Sequence, residues 1–349
     1  MATTLSPFTA LPDDVLQRVL LGVALDDHDA TAAACRAFRD VIRGPKFLHL
    51  RQEYGFAERC MILVGQRDIN VADRPLEINV AGKPGAVAIT NDLRIHTYGA
   101  AFRCATTDGG ARMFVTTWRH ANGGPTLVLA FDGSSRRWSH FATLPLYQSL
   151  HCLAWHGGLL YVAGGVEWES DRDLNTLQAF DETTGLWEDL PSMPFACTDA
   201  AGGVLGNQLF IAGGIGREED EYPILSTLQI YDFTTRTWRM GAPLPYGHYG
   251  GYGIVVIDTK LYLVSQRVFG VTETLVYDVQ SNTWTEQQGP PYQDLRSQCI
   301  NAFAHNGRIV TVNANGVAFQ RGSGSDHWSP FDFDLPEKTY GAAGSIVFG

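Results

Sequence analysis

The side chains able to do covalent or metal chemistry are scattered along this chain. Its six cysteines, Cys35, Cys60, Cys104, Cys152, Cys197 and Cys299, never come closer than 25 residues and form no CxxC pair. That spacing spells neither a zinc cluster nor a compact disulfide framework, and it suits reduced thiols. Of ten histidines, only His151 and His156 flank one strand-like run, and no neighbouring carboxylate completes a metal spacing. No GxSxG, HExxH or GxxxxGK[ST] occurs, nor a GxGxxG set between a strand and a helix. The expectation is a non-catalytic chain with no cofactor and no metal.

Two other residue groups have the chemistry of recognition. The first is acidic: Glu167, Glu169, Asp171 and Asp173 stand against Arg172, and Glu218, Glu219, Asp220 and Glu221 against Arg217. Each run nets −3, so together they supply six of the eleven net negative charges. The second is a set of aromatics just after prolines, Tyr147, Phe195, Tyr246 and Tyr292, able either to meet a ligand or to wedge packed layers apart. A net charge of −11 disfavours nucleic acid and anionic membrane surfaces, which reward basic patches. A protein partner with a basic surface fits better.

The elements that position these groups recur. Four segments carry an aromatic-Asp pair with Trp six residues after the Asp: Phe131-Asp132 to Trp138, Phe180-Asp181 to Trp187, Tyr231-Asp232 to Trp238, and Tyr277-Asp278 to Trp284. Seven residues past each Trp comes Pro145, Pro194, Pro245 or Pro291, followed by one of the four candidate aromatics. Upstream lie strand-like runs, 159–165 (LLYVAGG), 209–214 (LFIAGG) and 261–266 (LYLVSQ), two of which end in Gly-Gly. Weaker copies flank these, at 112–118 before Trp138 and at 308–319 before Trp328. A degenerate first copy is expected between residues 60 and 98, with strands at 61–64, 76–80 and 86–90. The repeated Asp residues read as turn caps and the glycines as points of close strand approach near a crowded centre.

This period of about 50 residues resembles the kelch motif, in which each repeat forms one four-stranded propeller blade. The resemblance implies a mainly all-β chain with a six-bladed propeller over 59–349. The tail at 341–348 is expected to pair beside Met61–Val64 and close the ring without an open sheet edge.

Ahead of residue 58 the periodicity is helical: Val15, Leu16, Val19 and Leu20, then Ala33, Ala37 and Val41, then Phe47 and Leu50. Three or four short helices over 8–58 are expected. Fewer than 60 residues make a small core, so this face is either the inside of a bundle or a surface for a partner. The run Leu11-Pro12-Asp13-Asp14-Val15-Leu16, with 35–42 (CRAFRDVI) and Pro45-Lys46-Phe47, resembles the F-box motif.

An F-box followed by kelch blades resembles the F-box/kelch-repeat family of plants and algae. Its members act as substrate receptors of Skp-cullin-F-box ubiquitin ligases, some of them targeting biosynthetic enzymes. The resemblance implies that Leu11, Pro12, Val15, Leu16, Val19 and Leu20 bind a Skp-type adaptor and, through it, cullin. The propeller would then select a protein substrate, such as a metabolic enzyme with a basic surface, at Tyr147, Phe195, Tyr246 and Tyr292 and at Glu167, Glu169, Glu218, Glu219 and Glu221. A non-ligase kelch scaffold or actin-binding module stays open beside this reading. A propeller oxidase is a more distant alternative, because its Cys-Tyr and two-His site is not displayed. No apolar run approaches the roughly 20 residues of a membrane helix and no signal-like start is present, which points to the cytoplasm and/or nucleus.

Overall fold

The computed structural model describes residues 16, 20, 21, 23, 28–34, 36–42, 47, 50–51, 58–66, 77–81, 103–106, 111–117, 125–133, 137–217, 221–248, 254–266, 272–292, 300–313, 317–325, 327–331 and 340–348. Within these the chain is mainly β. Five antiparallel sheets have four strands each, taken in chain order from inside to outside. They comprise Arg103–Thr106, Arg112–Thr117, Leu127–Asp132 and Arg137–Thr143; Cys152–His156, Leu159–Ala163, Leu177–Asp181 and Leu186–Leu190; Ala201–Leu205, Gln208–Ala212, Leu228–Asp232 and Thr237–Met240; Ile254–Ile257, Lys260–Gln266, Thr272–Asp278 and Thr283–Gln288; and Ile300–His305, Arg308–Asn313, Ala318–Gly322 and Ser329–Pro330. We number these sheets two to six.

Sheet one combines the two ends of the β region. Glu58–Gln66 pairs on one side with Glu77–Ala81 and on the other with Tyr340–Phe348, the latter over nine residues from Glu58↔Phe348 to Gln66↔Tyr340. The tail therefore pairs beside Met61–Val64 as its sequence suggests, and the strand expected at 86–90 lies outside the described residues. The innermost strands touch in cyclic order: 103–106 meets 152–156, then 201–205, 254–257 and 300–305, and the tail strand touches both 300–305 and 103–106.

The repeated residues explain the sheets. Each aromatic of an aromatic-Asp pair faces its Trp directly across the third and fourth strands: Phe131↔Trp138, Phe180↔Trp187, Tyr231↔Trp238 and Tyr277↔Trp284. Ring centroids in these pairs lie 4.9–5.2 Å apart. The Trp indole then donates to a carbonyl of the preceding sheet or its exit: Trp187 to Thr143 at 2.9 Å, Trp238 to Pro191 at 2.7 Å and Trp284 to Ala242 at 2.9 Å. Trp328 does the same to Gln288 at 2.9 Å. A half-apolar ring with one polar handle suits this seam.

Between those strands the Asp carboxylates cap the turn. Asp181 Oδ1 accepts from the Thr183 amide and hydroxyl, Asp232 Oδ1 from the amides of Thr234 and Thr235, and Asp278 Oδ1 from those of Gln280 and Ser281. These bonds hold all three carboxyls below the usual carboxylate range.

The core lies between sheets. Phe114, Val128 and Leu144 of sheet two and its exit meet Leu153, Val162 and Phe180 of sheet three, and Tyr161, Leu177 and Ala179 meet Leu209, Ile211 and Tyr231. Phe210 and Ile230 meet Leu261, Leu275 and Tyr277 in the next seam. Each such side chain taken out of water contributes about 1.5–3 kcal/mol, so a sheet stripped of one neighbour loses much of its support.

Two helices of seven residues, α1 (His28–Ala34) and α2 (Arg36–Ile42), precede the sheets. Leu16, Leu20, Leu21, Ala32, Ile42 and Phe47 form one buried cluster, with Val23, Phe38, Val41 and Leu50 packed on it. Ala32 faces inward here, where the sequence pattern had pointed to Ala33, which is exposed. Buried Arg51 ties the segment together, its Nη1 donating to the carbonyls of Leu21 at 2.7 Å and Val23 at 2.6 Å. Among the described residues no helix is long and apolar enough to cross a membrane.

Candidate functional site

The candidate recognition residues that the structure describes sit at one end of the sheets, and strand order dictates this. In an antiparallel four-stranded sheet the first and third connections share one end. The second connection and the crossing to the next sheet share the other. Residues 167–173 and, of the second acidic run, Arg217 and Glu221 belong to second connections of sheets three and four, whereas Tyr147, Phe195, Tyr246 and Tyr292 belong to crossings. All therefore face the same way.

Paired glycines make this end possible. Gly164, Gly165, Gly213 and Gly214 have φ of 64°, 99°, 65° and 97°, which ends the second strand at Ala163 or Ala212, just before the Gly-Gly pair that the sequence reading had included in it. A Cβ on Gly213 would stand 2.3 Å from the His248 carbonyl oxygen, and one on Gly164 2.6 Å from that of Cys197. The glycines thus admit the crossing segments to the next sheets, whereas the sequence had suggested neighbouring strands at the centre. Their amides bind the same segments, Gly165 to the Cys197 carbonyl at 2.9 Å and Gly214 to that of His248 at 2.7 Å.

From this base rise two small ladders of one design. In sheet three, Val166–Glu167 pairs with Arg172–Asp173 and with Gln148–Ser149 of the incoming crossing. In sheet four, Ile215 bridges Ile224 and Thr198. Arg217 joins the ladders: its Nη1 donates to the Asp171 carbonyl and lies 2.9 Å from Asp171 Oδ2, while its guanidinium carbon stands 5.4 Å from the Tyr222 ring centroid. The Asp171 hydrogen bond raises the Arg217 guanidinium above its ordinary value. Burial raises the Asp173 carboxyl, and Arg217 partly opposes that.

The candidate side chains divide by what they touch. Phe195 is 50% exposed on a rigid backbone: its amide donates to Gln229 Oε1 at 2.9 Å, and Gln229 Nε2 donates to its carbonyl at 3.2 Å from full burial. Tyr147 is partly buried, its ring 6.4 Å from that of Trp168. Tyr246 packs on the core between sheets four and five. Tyr292 packs on the next core and donates to Thr311 Oγ1 at 2.9 Å, its phenol pushed up by burial. Tyr246 and Tyr292 are therefore wedges, and of the four aromatics Phe195 alone is exposed.

Glu169 and Glu221 are exposed. Glu167 has only 18% of its side chain exposed and accepts from Ser170 and Arg172 inside its own ladder, so it serves the ladder's shape. Glu218 and Glu219 lie outside the described residues, as do Leu11, Pro12, Val15 and Val19. Leu16 and Leu20 are 3% and 2% exposed within the helical cluster, so these two side chains form its inside and present no open face.

The repeat pattern did not single out Trp168, Tyr222 and Ile224, which are 37%, 60% and 41% exposed beside the acids. A signal existed: Trp168 is a large aromatic inside one acidic run, and Tyr222 directly follows the other. Among the described residues no group of three or more His, Cys, Asp or Glu could hold a metal ion.

Comparison with known proteins adds relatives to this geometry. The kelch motif matches residues 149–194 and 196–245, which correspond to sheets three and four. A zebrafish (Danio rerio) Kelch repeat and BTB domain-containing protein is 29% identical over 170 residues, 42% of this chain and 27% of that one. An Arabidopsis thaliana F-box/kelch-repeat protein is 24% identical over 200 residues, 55% of this chain and 52% of that one. Another Arabidopsis thaliana F-box/kelch-repeat protein is 20% identical over 318 residues, 89% of this chain and 78% of that one. The chain thus spans about a quarter to a half of the length of the first two relatives. The solved propeller-type structure "Structure of YjhT" superposes with a TM-score of 0.56 at 14% identity, covering 70% of this chain and 87% of that one. Kelch motifs in consecutive sheets, together with several similar F-box/kelch-repeat proteins, support an F-box/kelch family for this chain.

Proposed function

We propose that this chain is the substrate-recognition subunit of a Skp-cullin-F-box ubiquitin ligase, itself non-catalytic. Residues 8–58 act as the F-box and dock on a Skp-type adaptor, which connects them to cullin. Residues 59–349 form a six-bladed propeller that holds a protein substrate for ubiquitination and degradation, in the cytoplasm and/or nucleus. The observation that carries this reading is the alignment with an F-box/kelch-repeat protein over 89% of the chain. The helical cluster ahead of the sheets and the cyclic contact of six inner strands support it.

The test is capture of a purified Skp-type adaptor by the full chain. Wild type should retain the adaptor, and the triple variant Leu11→Ala, Pro12→Ala, Val15→Ala should lose it while the β region melts unchanged. Failure of wild type to capture the adaptor, or undiminished capture by the triple variant, refutes the reading and leaves a kelch scaffold.

A further inference from the structure

Of the seven large apolar side chains exposed among the described residues, four, Trp168, Phe195, Tyr222 and Ile224, stand at this acidic end of sheets three and four. Trp168 and Tyr222 stand in the two ladders that Arg217 ties together, and Ile224 lies on the far strand of the second. Phe195 begins the crossing that runs between the ladder bases, where Cys197 binds Gly165 and Thr198 bridges Ile215. The patch is built to be rigid. Trp168 donates its indole N–H to Ser149 Oγ at 3.0 Å and its amide to the Tyr147 carbonyl at 2.9 Å, and Gln229 grips the Phe195 backbone on both sides. A rigid aromatic surface loses little conformational freedom on binding, which is the property of an anchor site.

We infer that this patch docks a protein segment bearing Lys or Arg beside apolar side chains. Complementary charge selects that occupant: Glu169 and Glu221 are exposed beside the aromatics, and both runs are acidic. Arg217 supplies an instance of the same chemistry within the chain, a guanidinium held between the Asp171 carboxylate and the Tyr222 ring. The apolar side chains of the segment cover Trp168, Phe195 and Ile224, and its cations meet Glu169 and Glu221. The inference rests on the receptor reading for its biological sense, since the segment would be the recognised part of a substrate, but the surface can be tested without it.

The experiment selects binders for the immobilised full chain from a display library of random linear peptides. The best peptide is then synthesised with a fluorescent label and titrated against variants. Selected sequences should be enriched in Lys or Arg next to aliphatic or aromatic residues. Trp168→Ala with Tyr222→Ala should weaken the labelled peptide about tenfold or more at any salt, as expected for anchor residues. Glu169→Lys with Glu221→Lys should weaken it strongly at about 50 mM salt and much less at about 300 mM, where exposed charges are screened.

Acidic or uncharged selected sequences, no enrichment, or equal binding by all variants overturns the inference. Near-ultraviolet circular dichroism of each variant shows that the fold is intact, and Phe195→Ala provides a second aromatic change on a backbone held by Gln229. Capture of the Skp-type adaptor is measured in parallel. Basic peptides without adaptor capture leave the surface standing and sink the receptor reading, while adaptor capture without a basic preference does the reverse.

Discussion

Gly213 and Gly206 share a backbone conformation and differ in their surroundings, so one substitution separates strain from close approach. Their φ values are 65° and 59°, yet a Cβ on Gly206 has nothing within 4 Å, whereas one on Gly213 stands 2.3 Å from the His248 carbonyl oxygen. Alanine at either site incurs the left-handed penalty, about 1 kcal/mol once the reduced freedom of the unfolded chain is counted. At Gly213 the carbonyl must also retreat, and it is the acceptor of the Gly214 amide at 2.7 Å. Losing that bond and stranding its buried partners adds about 2–4 kcal/mol. With unfolding entropy of about 2.1 cal/mol/K per residue, a cooperative β region of this size shifts about 1.5 °C per kcal/mol. Gly206→Ala should therefore lower Tm by about 1–2 °C and Gly213→Ala by about 5–7 °C, each read by near-ultraviolet circular dichroism. Two shifts within a degree of each other would refute the claim that the paired glycines exist to admit the crossing segment.

Three further outcomes follow from the same contacts. Burial lowers the His248 imidazole from 6.5 to about 4, so stability is complete above pH 6.5 and falls, by about 3 kcal/mol in all, as pH drops towards 4; His248→Met should flatten urea midpoints over that range, and an unchanged slope refutes the assignment. Arg51→Met removes the donor to two carbonyls and should cost the helical segment about 3 kcal/mol, seen as early loss of far-ultraviolet helix signal while the Trp signal of the sheets persists. Deleting 341–349 takes away eight of the nine residues paired with Glu58–Gln66 and most of the strand that touches both neighbouring sheets, and the product should aggregate or melt without cooperativity; a soluble product with unchanged melting would contradict ring closure.

The sheets were legible because one short offset determines a pair of facing residues. Aromatic, Asp, a turn and then Trp is a hairpin whose strands must bring ring to ring, and the chain repeats it with unvarying spacing. The turn tolerates variation in one place: the residue four after the Asp has positive φ whether it is Gly185, Arg236 or Asn282. A search for glycine there would miss two of these three turns, but the aromatic and Trp still mark them. The glycine pairs were legible as special and misread in purpose. Their neighbours, Cys197 and His248, are more than 30 residues away in sequence, and no local pattern records which segment crosses them.

The helical face shows the same limit from the other side. Helical periodicity identifies Leu16 and Leu20 as one stripe, but a stripe has two uses, and only three-dimensional packing decides that these two meet Ala32, Ile42 and Phe47. The rim is harder still. Tyr147, Phe195, Tyr246 and Tyr292 follow their prolines alike, yet Tyr292 finds Thr311 and Tyr246 finds a core seam, while Phe195 meets the buried Gln229 amide through its backbone and leaves its ring outside. A residue held by its main chain keeps its side chain free for a partner, whereas one held by its side chain does not. Position within a repeat therefore marks what the propeller uses to hold itself together. The proposed docking surface is made of side chains the repeat does not use, Trp168 and Tyr222 among them, and of a repeat aromatic, Phe195, whose backbone instead of its ring is anchored by a neighbouring sheet.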